Sequence, residues 1–255
     1  APISPPHNVA MSASSGGVTL SWDANPESDI AGYRVYYGDP TGYSFASSID
    51  VGNVTEVTLS GLSLSDSIAV TAYDGDIDGS NDQTDGNESW FSYADAVITY
   101  YVSNDGEINN LGTIDSPLSS IQLAIDAAED EDTVFVFSGT YIENINFNGK
   151  NIHLVGEDLD STIIDGNQNG RVVSFTNGES QNASISNFTL RNGLGGVVVS
   201  NSSPQLKDLI ISNNVASDHG GGLNIFNSNP TVTNVVVSKN SGCCGGGLNI
   251  DQSNV

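Results

Sequence analysis

The last third of the chain repeats itself at a short, fixed interval. Gly-Leu-Asn-Ile occurs at residues 222–225 and again at residues 247–250, an offset of 25. Asn-Ser-Ser-Pro at 201–204 returns as Asn-Ser-Asn-Pro at 227–230, an offset of 26. Because a repeat this short cannot bury an apolar face by itself, each copy must stack on the next. The repeat therefore predicts a solenoid whose coils each contain one copy.

The predicted coils align into two columns of strands. The first column holds residues 172–175, 197–199, 223–225 and 248–250, and the second holds Ile185, residues 209–211 and residues 235–237. At the turn after the second column lie Asn192, Asn214 and Asn240, whose amides we expect to hydrogen-bond along the axis. The outward positions of the first column carry no acid or base; they are Ser174, Val198, Asn224 and Asn249.

One amphipathic helix is predicted before the repeats. Apolar residues at 118, 121, 124, 125 and 128 follow helical spacing, with Ser116 and Pro117 as the expected N-cap and first-turn residues. A strand-like stretch at 133–137 and a Gly-Thr-Tyr turn at 139–141 follow directly. From Tyr101 onward the chain resembles the beginning of a right-handed parallel β-helix of the pectin-lyase-like superfamily. In that superfamily an amphipathic helix caps the first coil.

The N-terminal third shows a different pattern. Short stretches of alternating polar and apolar residues, separated by turn signals, indicate an antiparallel β-sandwich. Residues 20–23 with a core Trp22, residues 30–37 and residues 70–74 resemble a fibronectin type III domain, which implies a spacer or adhesion unit. The predicted fold is all-β: a fibronectin type III-like sandwich (1–98), a linker with the capping helix (99–131) and a right-handed parallel β-helix (132–255).

An acidic stretch in the sandwich segment imitates a calcium-binding loop. Its candidate ligands are Asp74, Asp76, Asp78 and Asp85, the last in the twelfth position of the loop. Carboxylate oxygens at alternate positions converge on a hard cation, so calcium is a possible ligand and no other cofactor is required. However, Asn81 stands where such loops carry an apolar residue, and a solvated Asp-rich turn explains the same residues.

Charge and hydropathy exclude several classes of partner. Six Lys and Arg stand against 31 Asp and Glu, a formal net charge of −25. Nucleic acids and anionic membranes require clustered positive charge, so neither is expected as a partner. No run of apolar residues is long enough for a membrane span. The adjacent Cys243 and Cys244 are interpreted as small residues in a turn, with a strained vicinal disulfide as the alternative.

Few residues are suited to catalysis. Enzymes of the β-helix superfamily act on acidic polysaccharides along an exposed strand column, with calcium and an Arg or Lys base or with clustered aspartates. The weak catalytic candidates are Asp218, His219, Arg171 and Lys207. The Asp-His pair could orient an imidazole for proton transfer, although a polar turn before three glycines also explains it. Because the candidates do not share one column, the sequence predicts no complete catalytic site in this segment.

The resemblances predict an extracellular or cell-surface pair of modules that binds glycan or mediates adhesion, with a polysaccharide or a cell-surface glycan as partner. Two alternatives stay open. One is the N-terminal portion of a polysaccharide lyase or glycoside hydrolase whose catalytic residues lie in further coils; the other is a purely structural stalk. Residues 254–255 lie inside a new coil without a polar cap, so further coils or domains of the same parent chain are expected.

Overall fold

The computed structural model describes residues 3–38, 45–75, 87–217, 220–243 and 245–254. Two compact units divide the chain, Ala1–Val97 and Ile98–Val255. The first is built from mainly antiparallel strands, with its first and last strands paired in parallel, and the second from parallel strands with one helix. The all-β fold class predicted from the sequence is confirmed.

The N-terminal unit is a sandwich of two four-stranded sheets. Its strands are β1 (His7–Ser14), β2 (Gly17–Asp23), β3 (Ile30–Tyr37), β4 (Ser47–Gly52), β5 (Glu56–Ser60), β6 (Ile68–Asp74), β7 (Ser92–Tyr93) and β8 (Asp95–Ala96). One sheet has the order β5-β2-β1-β8 and the other β4-β3-β6-β7. Alternate residues face the core, where Trp22 and Tyr33 pack with ring centroids 5.3 Å apart.

The C-terminal unit is a right-handed parallel β-helix. It begins with β9 (Thr99–Val102), α1 (Ile121–Ala127), β10 (Thr133–Val136), β11 (Gly139–Ile142), β12 (Ile145–Asn146), β13 (His153–Gly156) and β14 (Thr162–Asp165). It continues with β15 (Val173–Phe175), β16 (Ser184–Arg191), β17 (Val197–Ser200), β18 (Gln205–Ser212), β19 (Leu223–Phe226), β20 (Thr231–Ser238) and β21 (Leu248–Asp251). A five-stranded sheet has the order β12-β15-β17-β19-β21, and the remaining strands form an eight-stranded sheet.

The long strands of the eight-stranded sheet bend at one position. Asn187, Asp208 and Asn234 stand there with φ angles of 63°, 50° and 53°, in the left-handed region that asparagine and aspartate tolerate best. The first half of β16 pairs with β13 and its second half with β14. The bend thus divides this sheet into two faces, and the five-stranded sheet supplies the third face of each coil.

The observed register corrects the predicted columns by a few positions. Val173, rather than Val172, pairs with Val197, because Val172 is the buried turn residue whose N–H donates to the carbonyl of Gly195. In the second column Ile185 pairs with Leu206, whereas residues 209–211 pair with residues 188–190. The bend at Asn187 accounts for the second error, since it separates two stretches of similar apolar residues within one strand.

The capping helix begins later than predicted. Ser120, rather than Ser116, is the N-cap, and its Oγ accepts a hydrogen bond from the N–H of Leu123. The carboxylate of Glu143 accepts from the N–H groups of Ile121 and Gln122, at 2.9 and 3.0 Å. Leu118 instead forms a parallel bridge with Val102 in the first coil. A serine stands at each end of residues 116–120, and either one could serve as the N-cap by residue type. The carboxylate of Glu143, which selects Ser120, comes from a turn distant in sequence.

The other end of the helix is held by a lysine. The Nζ of Lys150 donates to the carbonyls of Ile125, Asp126 and Ala128 at 2.9, 2.7 and 2.6 Å. An anion at the N-terminus and a cation at the C-terminus both match the helix dipole. The helix buries Ile121, Ala124 and Ile125 against the first coil, so it closes the core of the β-helix at this end.

Candidate functional site

The outer side of the five-stranded sheet carries a column of five residues, three of which are asparagines. Strand pairing places Asn146, Ser174, Val198, Asn224 and Asn249 side by side, and we call this column the amide face. The Nδ2 of Asn249 donates to the Oδ1 of Asn224 at 2.8 Å, which fixes the orientation of both amides. These outward positions agree with the alignment made from the sequence.

One aromatic ring and one carboxylate flank the amide face. Phe226 pairs with Ser200 on one side and Asp251 on the other, and the ring is 40% exposed. Asn224, Phe226, Asn249, Ile250 and Asp251 line an open groove of about 530 Å³. Glycoside hydrolysis requires two carboxyl groups that face each other. Among the described residues of the amide face and this flank, Asp251 is the one carboxylate, so these residues do not form such a pair.

Arg171 crosses two coils beside this sheet. Its Nη1 donates to the carbonyl of Gly220 at 2.8 Å, and its side chain lies against Gly195 of the intervening coil. A Cβ on Gly195 would lie 2.4 Å from the guanidinium, so this glycine leaves space for the arginine. Arg171 therefore links coils. The catalytic candidates Asp218 and His219 lie outside the described residues.

Lys207 lies elsewhere, on the outer side of the eight-stranded sheet. It stands between Ser186 and Thr233 in the strand pairing, and its side chain is 61% exposed. Its Nζ is 3.8 Å from the carboxylate of Asp208. Lys207 therefore lies on the eight-stranded sheet, whereas Arg171 lies beside the five-stranded sheet, and the two do not share a site.

The asparagine ladder contains Asn214 and Asn240 but not Asn192. Asn214 is fully buried; its Oδ1 accepts from the N–H of Gly193 at 2.8 Å, and its Nδ2 donates to the Oδ1 of Asn240 at 3.0 Å. Asn192 precedes the ladder position by one residue and has a φ of 57°, so its side chain points to Asp165 instead. The prediction for Asn192 was wrong because Gly193 occupies the equivalent position in that coil.

Asp165 forms a second polar cluster at the same turn. Its Oδ2 accepts from the Nε of Arg191 at 3.0 Å and from the Nδ2 of Asn192 at 2.8 Å. Burial opposes ionisation of this carboxyl, but hydrogen bonds from the N–H of Asn167 and from these two side chains lower its pKa overall. Arg191 and Asn192 both bond to Asp165, and this ion pair stabilises the turn.

Of the four candidate calcium ligands, the structure describes Asp74 alone. Its carboxylate is buried and accepts from the backbone N–H and the side-chain amide of Asn87, at 3.0 and 3.2 Å. Asp76, Asp78 and Asp85 lie outside the described residues. Within the described ranges, no group of three or more His, Cys, Asp and Glu side chains is placed to hold a metal ion. Nor does any helix there have the length and apolarity needed to cross a membrane.

Sequence reasoning missed a cluster on the eight-stranded sheet. The Nδ1 of His153 is 2.9 Å from the Oγ of Ser184, and its Nε2 is 3.9 Å from the carboxylate of Glu131. Serine, histidine and a carboxylate together suggest nucleophilic catalysis. However, the N–H of Ser184 donates to the carbonyl of Ile152 within the sheet and is not available to stabilise an oxyanion. The alternation of β13 and β16 could have identified the pair as outward neighbours.

A family model for the fibronectin type III domain matches residues 4–94. This range coincides with the sandwich. Residues 4–94 are a fibronectin type III domain. Both the predicted resemblance and the predicted core position of Trp22, which is 5% exposed, agree with the structure of this domain.

Pectate lyase PEL9 of Emericella nidulans is 35% identical to this chain over 82 residues, which cover 26% of the chain and 20% of PEL9. The chain thus spans about a fifth of the length of this relative. Two structures of pectin methylesterase, one of PemA from Erwinia chrysanthemi and one in complex with a hexasaccharide, are 14% and 13% identical to it. Each alignment covers 51% of this chain and 53% of the other, with a TM-score of 0.37.

Proposed function

We propose that this chain is an extracellular or cell-surface polysaccharide-binding unit, in which the fibronectin type III domain precedes a β-helix that holds a glycan along its amide face. The observation that carries the proposal is the amide face itself, with Asn224 and Asn249 beside the exposed ring of Phe226. Amides donate and accept hydrogen bonds, as sugar hydroxyls require, and an adjacent ring offers an apolar surface to the sugar. The similarity to a pectate lyase supports a carbohydrate ligand.

Fixed amides favour binding. The hydrogen bond from Asn249 to Asn224 leaves the Oδ1 of Asn249 and the Nδ2 of Asn224 for a ligand. Because the bond already holds both side chains, little side-chain entropy is lost when a ligand binds. A face with asparagines on two neighbouring coils, Asn224 and Asn249, also suits a repeated polymer. The net charge of −25 opposes a polyuronate unless divalent cations such as calcium bridge the two anions.

The second candidate function is part of a polysaccharide lyase, which the identity with PEL9 favours. A lyase requires a base beside the uronate, and Arg171 lies beside the five-stranded sheet that carries the amide face. Arg171 already donates to the carbonyl of Gly220, so it would have to leave this position to act as a base. The binding function therefore has the stronger support from the geometry.

The test is affinity electrophoresis of the whole chain through gels that contain polygalacturonate, highly methyl-esterified pectin or a neutral galactan, with and without calcium. We expect retardation in at least one gel, and release of that retardation when Asn224 and Asn249 are both changed to Ala. The matched control is Asn213→Ala, an asparagine of the same unit outside the amide face. A parallel assay follows the absorbance of unsaturated uronides.

Three outcomes decide between the functions. Retardation without new absorbance supports binding. A rise in absorbance that depends on Arg171 establishes the lyase and contradicts a purely binding role. If every gel leaves the chain unretarded, the chain is a structural stalk, and the proposal is wrong.

A further inference from the structure

The outer side of one sandwich sheet carries a cluster of aromatic rings. Tyr36, Phe45, Phe91 and Tyr93 form a connected set, which we call the aromatic face. Ring centroids are 4.9 Å apart for Tyr36 and Phe91, 5.2 Å for Phe45 and Phe91, and 6.0 Å for Phe45 and Tyr93. The core of the domain lies on the opposite side of the sheet, where Tyr33, Val35 and Val70 are buried. The aromatic face is therefore not part of that core.

Strand pairing shows how the rings are arranged. Tyr36 lies opposite Ser48 on one side and Ala69 on the other, and Ala69 lies opposite Tyr93. One row of side chains thus crosses all four strands, a width of about 14 Å at the usual strand spacing. Ala69 is small and fully buried, which leaves room for rings between the two tyrosines. Tyr93 closes the row and is 54% exposed.

In the next row of side chains on this sheet, the charge of Arg34 is neutralised by an ion pair. The Nη1 of Arg34 donates to the Oε2 of Glu88 at 2.8 Å, and the other oxygen of Glu88 accepts from the hydroxyls of Tyr36 and Thr71. The side chains of Arg34 and Glu88 are 14% and 4% exposed, so this pair is not available to a ligand. The network holds the ring of Tyr36 in place.

Charge around the aromatic face disfavours an anionic ligand. Arg34 is the one Lys or Arg before Lys150, and residues 1–98 contain 14 Asp and Glu. Asp50 lies opposite Arg34 in the strand pairing, and hydrogen bonds from the hydroxyl of Tyr73 and the N–H of Gly52 lower its pKa. Fourteen carboxyl groups against one arginine repel a uronate, whereas an uncharged sugar experiences no such penalty.

We infer that the aromatic face is a second glycan-binding site, specific for an uncharged polysaccharide whose rings stack on Tyr36, Phe91 and Tyr93. Faces of aromatic rings carry negative partial charge and attract the polarised C–H groups of a sugar, and exposed apolar patches on soluble domains mark interaction sites. The inference rests on the proposed function, because it assumes a polysaccharide ligand. It makes the fibronectin type III domain a binding module in its own right.

The experiment compares two polymers that share a backbone and differ in charge. The whole chain, Tyr93→Ala, Phe226→Ala and Ile142→Ala are each titrated with highly methyl-esterified pectin and with polygalacturonate at low salt and without calcium. We expect the wild-type chain to bind the esterified polymer at least tenfold more tightly, and Tyr93→Ala to weaken that binding about fivefold. Ile142 is 69% exposed and lies in the β-helix, so Ile142→Ala controls for lost apolar surface. Unchanged tryptophan emission shows that Tyr93→Ala remains folded.

Each other outcome overturns the inference in a recognisable way. Binding that survives Tyr93→Ala and is lost in Phe226→Ala leaves the proposed function intact and removes the aromatic face from it. Tighter binding of polygalacturonate contradicts the predicted preference for an uncharged ligand. Sedimentation that shows a dimer of the wild-type chain, dissociated by Tyr93→Ala, assigns the face to self-association. If neither polymer nor a neutral galactan binds, the proposed function fails as well.

Discussion

The two units satisfy their buried polar groups in opposite ways. In the fibronectin type III domain a single carboxylate, Glu88, serves Arg34, Tyr36 and Thr71, and no second copy of this network exists among the described residues. In the β-helix, polar residues at equivalent positions of neighbouring coils bond to each other, as Asn214 does to Asn240 and Ser202 to Ser228. The difference shows why one face of the sandwich can carry a specialised set of rings, whereas the β-helix pairs like residues, such as Asn224 and Asn249, on neighbouring coils.

The tryptophans allow the two units to be followed separately. The chain has two, Trp22 and Trp90, and both lie in the sandwich. Tryptophan emission therefore reports unfolding of the fibronectin type III domain alone, while far-UV circular dichroism reports both units. Each substitution below can be assigned to one unit in the intact chain.

The largest effect is expected for Glu88→Ala. This change leaves the guanidinium of Arg34, 14% exposed, without its carboxylate, and removes the acceptor of two hydroxyls. Breaking a buried ion pair from one side costs about 3–5 kcal/mol. We expect the urea midpoint measured by tryptophan emission to fall accordingly, with no change in the part of the dichroism transition that comes from the β-helix.

The matched control for Glu88→Ala is Glu56→Ala, an exposed glutamate of the same domain. The free energy of unfolding that the emission transition gives should stay within about 0.5 kcal/mol of the wild type. If Glu88→Ala is equally mild, the sandwich does not depend on a single network, and the contrast between the two units disappears.

A smaller effect is expected for Asn214→Ala in the β-helix. The amide is fully buried, and its loss leaves the N–H of Gly193 and the carbonyl of Leu190 without their side-chain partner. The Oδ1 of Asn240 loses one donor but keeps the backbone N–H of Asn214. Each unsatisfied buried group costs about 1–3 kcal/mol, so we expect a total near the lower end for two groups, about 2–3 kcal/mol. The dichroism transition should shift while tryptophan emission does not.

Asn249→Ala is the matched control in the same unit, since this amide is on the outer face and bonds to Asn224 alone among the partners shown. We expect a change of less than about 0.5 kcal/mol. A loss in Asn214→Ala as large as that in Glu88→Ala would show that the ladder is as cooperative as the sandwich network.

The contrast also explains which features could be predicted from the sequence. The coils, their outward residues and the capping helix follow from periodic patterns, and their errors are small shifts: Val172 for Val173, Ser116 for Ser120, Asn192 for Gly193. Val172 and Val173 are neighbours of one type, Ser116 and Ser120 both precede the helix, and Asn192 stands next to the ladder position that Gly193 occupies. The long-range contact that decides between them, such as Glu143 at the helix N-terminus, has no local pattern.

The aromatic face could not be predicted for a similar reason. Its rings come from β3, from β7 and from the segments that precede β4 and β7, and their proximity depends on the register across four strands. Alternation shows that Tyr36 faces away from Val35, but it does not show which residues of other strands lie beside it. A non-repeated site is therefore harder to infer than a repeated one.

The smallest expected effect is the acid sensitivity of the sandwich. Hydrogen bonds from Ser4 lower the pKa of Glu27 from 4.5 to about 2. A carboxyl whose pKa is lower in the folded state adds stability that is fully present above pH 4.5 and is lost as the pH falls toward 2. The urea midpoint from tryptophan emission should therefore fall as the pH is lowered over this range. The midpoint of the Glu27→Gln variant should fall less steeply. Glu56→Gln is the control and should follow the wild type. The effect is small because Glu27 is exposed to solvent, which screens its interactions.

Asp165 in the β-helix also has a lowered pKa, so acid should shift the dichroism transition too, but Glu27→Gln should leave that shift unchanged. If Glu27→Gln alters both transitions, the two units do not unfold separately, and the comparison between them must be withdrawn.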